Sequence, residues 1–557
     1  MSPKVNRLLP EQGRWPADLL AALSLMVLLI PQAMAQSSLA GMPPVYGLFT
    51  AAAALTAGGL MGHLHRFSGG PTSLTALTIA AVIGGSAQPG SLAYFQMVMI
   101  LALMVGVFRI VLGLLKFSFF ANLISHPAAS GFTSAAALLI IFSVLGNHNW
   151  RHIPTLLVGS GFILLSLIIK RRGAAVLSLV IPMLLFTAAA LIGGYEDGGG
   201  ELLGRVEFRV PRVHLLATEL SVREFFSMAV ELIPAALLVT TVSLMEMFAV
   251  SSHLVRNAPQ RMNLDRELIS QGAGALGAAL AGTFPGSASF ARSALLEHQH
   301  VSSRFSNLTA GILVIPLAFL CGPILASMPR VILGGIIIVS VIRVIRPESL
   351  RDAWRSSWLD ALVWLAAFGT TLISAPNIYF GIIVPVLLQL MIFVLRRMRP
   401  RVVILGRHGD GRLRDALHLS LPLPRHILAI RLDSSLHFAN QEYVIQRVLD
   451  RIKEMPRVEH LIISAEGMHY IDESGAQGLL DLAEYCRSRS IQPWIAGIKL
   501  PALQVLCRRE VLIDDPGAKD EHPYRYARDM KLALDEVYGD LNRRGIVETV
   551  DIRSPAE

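Results

Sequence analysis

From Trp15 to about Arg397 the chain is a succession of apolar runs, most of them roughly 17 to 25 residues long, enough to cross ~30 Å of hydrocarbon as a helix. They fall near residues 17–36, 43–62, 71–86, 92–115, 121–145, 153–169, 174–193, 227–253, 264–283, 289–297, 306–326, 329–346, 358–375 and 379–396, about fourteen spans. Composition agrees: 53% of residues are hydrophobic and 16% charged, with a mean hydropathy of +0.54, outside the usual range of a soluble globular protein. The chain is therefore read as a polytopic all-α membrane domain. The first run is full length and followed by others, so it is read as a span and not as a cleaved leader.

Beyond about Arg399 the apolar runs shorten and charge rises. This divides the chain into a membrane domain over 1–398, a linker rich in Arg, Gly and Pro over 399–424, and a soluble domain over 425–557. Cys321, Cys486 and Cys507 lack CxxC spacing and suggest neither a metal site nor a disulfide framework. A net charge of +9 raises nucleic acid as a partner, but the Lys and Arg lie mostly in short loops beside the spans, where membrane topology explains them better. With Lys4, Arg7 and Arg14 inside, Arg66, Lys116, Lys170 to Arg172, Arg256, Arg261, Arg266, Arg304, Arg343 to Arg355 and Arg396 to Arg401 also fall inside. Both termini are then expected in the cytoplasm, and a bacterial inner membrane is the expected location.

Two spans are unusual. One opens at Gly69-Gly70-Pro71-Thr72-Ser73 and the other near Ser289; both are short, and both follow stretches of Gly, Pro and Ser. Backbone freed by such residues at membrane depth is tolerated only against protein or a cavity, and matching interrupted helices in two halves point to a transport site. They are third and tenth in order, and His126-Pro127 and Met328-Pro329 repeat that offset of seven at the fifth and twelfth places. Helix N-termini facing each other there would offer unpaired N–H groups and positive dipole ends to an anion. Arg292, in the first turn of the tenth span, would add a full charge, which an anion would justify. The alternative is that Arg292 snorkels to the surface, since Glu297, His298 and His300 follow.

Ile30-Pro31-Gln32-Ala33-Met34-Ala35, Leu39-Ala40-Gly41-Met42-Pro43-Pro44-Val45-Tyr46-Gly47-Leu48, Ser68-Gly69-Gly70-Pro71, Ser130 to Ala136, and Glu267 to Gly272 ahead of Ser287-Ala288-Ser289-Phe290-Ala291-Arg292-Ser293 together resemble the sulfate permease family, also called solute carrier family 26. The C-terminal region is similar to the sulfate transporter and anti-sigma-factor antagonist (STAS) domain. The resemblance covers nearly the whole chain. It implies two inverted seven-helix repeats, with a core domain of spans 1 to 4 and 8 to 11 carrying the anion past a gate domain of spans 5 to 7 and 12 to 14 in an elevator-like movement. It also implies that Gln32 faces the anion beside the backbone of Thr72, Ser73, Ser289, Phe290, Ala291 and Arg292. A structural amide is the other reading of Gln32. Glu246, in the eighth span, is read as a proton or cation site, with Arg292 as its alternative partner and Ser243, one turn earlier, placed to bond the carboxylate.

Departures from the family pattern bear on the substrate. One hydroxyl of the usual Ser-x-Ser-Arg-Ser is absent at Ala291, and Gln36 replaces a common aromatic residue. Val250 stands where sodium-coupled bicarbonate members carry Thr, which makes sodium a weaker expectation than a proton or anion exchange.

In the soluble region, strand-like runs at 427–432, 460–464 and 491–498 alternate with helical patterns at 439–454, 474–489 and 522–538, a small α/β domain. Ser474 stands where anti-sigma antagonists carry a phosphorylated serine; with Gln477 it also reads as a capping box. The resemblance implies a regulatory or dimer-organising role here. Gly272, Gly274 and Gly277 are spaced for close helix packing, and His63 and His65 flank the membrane. No nucleophile–base–orienter triad is visible, so neither an enzyme nor a cofactor is expected. The function expected is secondary active transport of a small anion: sulfate, then bicarbonate, then a C4-dicarboxylate. The rival classes are an uncoupled anion channel and a signalling module built on the STAS domain.

Overall fold

A computed structural model of the chain describes residues 8–10, 14–117, 124–146, 150–172, 176–204, 221–257, 263–342, 344–375, 378–410, 412–512, 522–548 and 550–553. Lys4, Arg7, Arg261 and Arg343, the starts of the fifth and seventh expected spans, and most of the loop before Arg223 lie outside the described residues. The chain divides into two compact units, Met1–Gln389 and Leu390–Glu557.

The first unit opens with α1 (Trp15–Leu39), α2 (Tyr46–Met61), β1 (Gly69–Gly70), α3 (Ser73–Ile83), α4 (Leu92–Leu114), α5 (His126–Gly146), α6 (Ile153–Arg171) and α7 (Leu177–Ile192). It continues with α8 (Val222–Glu231), α9 (Ile233–Asn257), α10 (Leu264–Leu280), β2 (Ser287–Ala288), α11 (Phe290–His298), α12 (Phe305–Leu320), α13 (Gly322–Ala326), α14 (Arg330–Val341), α15 (Pro347–Ser356), α16 (Trp358–Ile373) and α17 (Phe380–Met398), which runs across the division. Each of the fourteen expected spans meets a helix: α1 to α7, α9 to α12, α14, α16 and α17. Six of these, α1, α4, α5, α6, α9 and α17, are long and apolar enough to cross a membrane alone. By contrast α3 and α11, with 11 and 9 residues, reach only about 16 and 14 Å at 1.5 Å per residue, half a bilayer.

The helices pack in two sets. One joins α1, α2, α4, α9, α10 and α12, with α3 and α11 against α9; the other joins α5, α6, α7, α14, α15 and α16. This is the core and gate division of a seven-plus-seven inverted repeat. Small residues hold the first set together: a Cβ on Gly59 would lie 2.8 Å from the Leu308 Cα, one on Gly311 2.6 Å from the Thr56 amide nitrogen, and one on Gly274 3.0 Å from the Ala54 Cα. With no hydrophobic drive between helices in lipid, such close approach supplies the packing energy. Gly272 sits likewise against Gly106 and Ile110 of α4, so the α10 glycines are packing residues facing two neighbours. Pro31, inside α1, deprives the Val27 carbonyl of its helical partner one residue before Gln32, within a fully buried stretch.

The second unit is a six-stranded sheet in the order β4-β3-β5-β6-β7-β8, from β3 (Val402–Arg407), β4 (Leu413–Asp415), β5 (Ile427–Leu432), β6 (His460–Ser464), β7 (Gln492–Ala496) and β8 (Arg525–Ala527). Strands β5 to β8 are parallel, joined by α18 (Gln441–Glu454), α19 (Glu473–Ser488) and α20 (Leu500–Arg508), with α21 (Met530–Arg543) last. Three expectations are corrected. The stretch read as linker contains β3 and β4, and β3 pairs antiparallel with β5, because the β-branched, apolar Val402-Val403-Ile404-Leu405 completes the sheet. The expected helix at 522–538 starts as β8 and becomes helical only at Met530, where Asp529 accepts from the Leu532 N–H. Finally, α19 is capped by Asp472 and not by Ser474: the Asp472 carboxylate accepts from Gly475 N–H at 2.8 Å and Phe438 N–H at 2.9 Å, and Ser474 lies inside the first turn.

Candidate functional site: a β crossing between two half-helices

The third and tenth spans meet through their leading residues. Gly69 pairs with Ala288 and Gly70 with Ser287, antiparallel, and the Ser289 N–H donates to the Ser68 carbonyl at 3.0 Å to extend the ladder. This crossing satisfies backbone groups that would otherwise be unpaired at membrane depth. Each helix then starts from a hydroxyl cap: Thr72 accepts from Thr75 N–H at 3.3 Å, and Ser289 from Arg292 N–H at 3.5 Å. Ser293, fully buried, accepts from the Ser68 N–H at 3.0 Å and ties α11 to the opposite loop.

Arg292 is 0% exposed, so its guanidinium does not snorkel to the surface. Nη1 donates to the Pro71 carbonyl at 3.1 Å, across the crossing, and Nε and Nη2 find no acceptor among the described residues. The room comes from Gly70: at φ +141° it has backbone that L side chains rarely adopt, and a Cβ there would lie 2.9 Å from Nη2. Gly286 fits as closely, since its Cβ would lie 2.8 Å from the Gly70 carbonyl carbon and oxygen.

Glu246 comes from the middle of α9. Its Oε2 accepts from the Thr72 hydroxyl at 3.0 Å and the Thr75 hydroxyl at 3.1 Å, and Ser287 faces the same carboxylate. Arg292 is within electrostatic reach of Glu246, but among the described residues the two make no ion pair within 4.0 Å; hydroxyls occupy the carboxylate instead. Ser243 does not bond Glu246 as expected. Its hydroxyl donates to Gln271 Oε1 at 3.1 Å and accepts from Ser287 at 3.0 Å, because that face of α9 turns toward α10. A cavity lined by Gly69, Gly70, Glu267, Gln271, Gly286 and Ser287 lies on this side of the crossing.

The other expected site residues are placed as follows. Gln32, on α1, is buried and makes no hydrogen bond among the described residues, and the Gln36 Oε1 is likewise without a partner. Ser73 is buried in the first turn of α3. Phe290 is 44% exposed and Ala291 is exposed, so their side chains point away from the buried Arg292. Thr75, Ser287 and Ser293 belong to the site and were not singled out from sequence, though Thr75 stands three residues after Thr72 on the same helix face.

Arg109 was also missed. It lies in α4, is 0% exposed, donates from Nη1 to the Gly286 carbonyl at 2.7 Å, and is within electrostatic reach of Glu246. An arginine inside a 23-residue apolar helix carries the same signal that drew attention to Arg292 and Glu246.

Together the crossing presents two half-helix N-termini, two buried guanidiniums and one carboxylate wrapped in hydroxyls. Such an arrangement is suited to negative charge and has one carboxylate beside it.

Comparison with known proteins agrees in kind. Residues 16–150 and 145–367 match the sulfate permease family, and residues 418–510 match the STAS domain. A probable sulfate transporter of Mycobacterium tuberculosis is 27% identical over 544 residues, covering 93% of this chain and 95% of that protein. Probable sulfate transporter 4.2 of Arabidopsis thaliana is 25% identical over 535 residues, covering 89% and 78%. Among solved structures, the murine solute carrier 26 family member A9 anion transporter, in its inward-facing state, superposes with a TM-score of 0.83 at 17% identity, over 95% of this chain and 92% of that one. With its family signature spread over most of the membrane unit and its two half-helices crossed around buried arginines, the chain belongs to the sulfate permease family, as a multi-pass membrane protein of the anion-transporting kind with a C-terminal STAS domain.

Proposed function

We propose that the protein is a secondary active transporter of a small inorganic anion, sulfate first, working by an elevator movement of the core helices past the gate helices, with coupling to protons or exchange for another anion. The observation that carries this reading is Arg292, wholly buried at the β1–β2 crossing with two N–H-bearing nitrogens unmatched among the described residues. An anion seated at the ends of α3 and α11 would accept from those groups and from the first-turn amides of both helices. Gln32, Thr72, Ser73, Ser289, Phe290, Ala291 and Arg292 frame that seat, the last three through backbone and guanidinium and not through the exposed side chains of Phe290 and Ala291. Sulfate is preferred over bicarbonate or a dicarboxylate because curated relatives that align with 89% and 93% of this chain are named as sulfate transporters.

Glu246 is the coupling group in this reading. Its hydroxyl partners Thr72 and Thr75 serve either protonation state, since a hydroxyl donates to a carboxylate and accepts from a carboxylic acid. Glu246→Gln keeps the shape and removes the titration. In liposomes of purified protein, wild-type sulfate uptake is expected to follow an imposed proton gradient, and the Glu246→Gln protein to exchange sulfate without responding to it. Unchanged gradient dependence in the variant would remove Glu246 from coupling; uptake of bicarbonate or succinate in preference to sulfate would replace the cargo. Large currents with no accumulation would favour a channel.

The domain assignment follows from the same reading: residues 1–398 transport, and residues 425–557, with the added strands β3 and β4, form a cytoplasmic STAS domain that regulates transport or organises a homodimer. In this assignment both termini are cytoplasmic and the membrane is the bacterial inner membrane. Ser474, in the first turn of α19, is the residue by which modification would act.

A further inference from the structure

Among the described residues, the buried charged side chains of the helical unit are Asp18, Arg109, Glu267, Arg292 and Arg304. Three of them are answered at helix ends. Asp18 accepts from the Ser302 N–H and from the Ser302 and Ser303 hydroxyls. Glu267 accepts from the His63 and Leu64 N–H groups, and Arg304 donates to the Leu60 and Gly62 carbonyls. The remaining two, Arg109 and Arg292, flank the β1–β2 crossing, one bonded to Gly286 ahead of β2 and the other to Pro71 after β1. Each keeps Nε and Nη2 without an acceptor among the described residues.

One carboxylate, Glu246, is within electrostatic reach of both arginines. Of the elements packed on α9, α3 and β2 bring hydroxyls only; α10, bonded to Ser243 through Gln271, brings Asp265, Arg266 and Glu267 in its first turn. α11 brings Arg292, with Glu297 and His298 at its far end; α4 brings Arg109 and Tyr94, whose hydroxyl donates to the Ala40 carbonyl; α8 brings Arg223, Glu224 and Glu231. α5, α16 and α17, which meet α9 through Phe132, Ala367 and Ile382, bring His126, Asp360, Arg396 and Arg397 at their ends. Of the α8 residues, Glu224 caps its own helix from exposed positions. With the Glu267 carboxylate answered by the His63 and Leu64 N–H groups and by the charges of Arg304 and Arg266, the crossing is left with two positive charges and one negative, a formal +1 with Glu246 ionised and +2 with it protonated. In a low-dielectric interior a net charge of that size selects the charge of what binds.

We propose that Arg109 is the second cation of the anion site, acting by its charge and not merely through its hydrogen bond to Gly286, and that together with Arg292 and a protonated Glu246 it fits the site for a divalent oxyanion. The inference rests on reading the crossing as the anion site. Its consequence is that cargo charge and Glu246 protonation are linked: a dianion is matched by the +2 state and a monoanion by the +1 state. Sulfate then enters with one proton, taken up on the Glu246 carboxylate.

The test is calorimetric titration of the full-length protein with sulfate and with nitrate, for wild type, Arg109→Gln and Arg109→Lys. Loss of one charge pair at a separation on the order of 10 Å, in an effective dielectric of ~20, changes affinity by roughly ten- to twenty-fold per cargo charge. Arg109→Gln is thus expected to weaken sulfate about ten-fold more than nitrate, and Arg109→Lys to restore most of the difference. Equal loss for both anions, or no recovery with lysine, would make Arg109 a strut for Gly286 and overturn the proposal, leaving the anion site itself intact. If Arg109→Gln does not fold, wild type alone decides. Titrations in buffers of different ionisation enthalpy should show about one proton taken up with sulfate and none with nitrate, and equal proton uptake for the two would overturn the proposal. Wild-type protein that binds neither anion would refute the site reading on which it stands.

Discussion

β1 with α3, and β2 with α11, are built by the same local rules: two extended residues, a hydroxyl cap accepting from the third residue on, and a helix half a bilayer long. Their chemistry differs. The α3 arm gives up side chain, with Gly69 and Gly70 in the strand and hydroxyls at Thr72 and Thr75 turned to Glu246. The α11 arm carries Arg292, whose guanidinium lies where a Gly70 side chain would stand. In the proposed reading the backbone repeat sets where an anion sits; the asymmetry between the arms places the cation on one and the hydroxyl donors to Glu246 on the other. Neither half would serve alone, since a buried arginine needs space and a part-buried carboxylate needs donors.

The largest expected effect comes from deleting the charged arm. Arg292→Gln should weaken sulfate binding by about thirty-fold or more, from the roughly 2–5 kcal/mol range for truncating a buried charged hydrogen-bonding partner. Equilibrium binding to purified protein measures it, and wild-type affinity in the variant would place the guanidinium outside the site. Next is the arm that makes room. Gly70→Ala adds a Cβ 2.9 Å from Arg292 Nη2 on backbone of φ +141°, which should displace the guanidinium and lower affinity about ten-fold, with strain of roughly 1–3 kcal/mol in thermal unfolding. A variant as tight and stable as wild type would mean that the two arms do not share this space. The smallest effect sharpens the contrast. Thr72→Ala and Ser289→Ala should each cost about 1 kcal/mol as lost caps. Only Thr72→Ala also removes a donor to Glu246, so only it should alter the pH dependence of uptake, and identical pH profiles for the two would erase the asymmetry.

Much of this was legible in the sequence. The spans show as apolar length, and α3 and α11 stand out because Gly, Pro and Ser cluster before short apolar runs. Arg292 and Glu246 are conspicuous as charges inside such runs. Arg109 is equally charged, but it sits in an unbroken helix with no Gly or Pro irregularity beside it, and its partner Gly286 is 177 residues away. The Ser243 expectation failed for a related reason: helical spacing places its hydroxyl one turn from Glu246, while the neighbouring helix supplied a competing acceptor in Gln271. At Ser474 a short motif was satisfied in spacing, yet Asp472 took the cap because its carboxylate bonds both Gly475 and Phe438, the latter brought close by the Leu436–Ile471 bridge. The strands β3 and β4 escaped notice because a short apolar run among arginines looks like linker until a sheet edge is there to receive it.

Which segments lie in the membrane was determined by the sequence alone, since transfer of a helix into hydrocarbon is close to a sum over its own residues and length is read directly from the chain. Which groups answer the buried charges was decided only by the tertiary structure. Coulomb energy and hydrogen bonding depend on separation in space, and the groups that meet at the crossing, Arg109 with Gly286 and Arg292 with Pro71, are 177 and 221 residues apart along the chain.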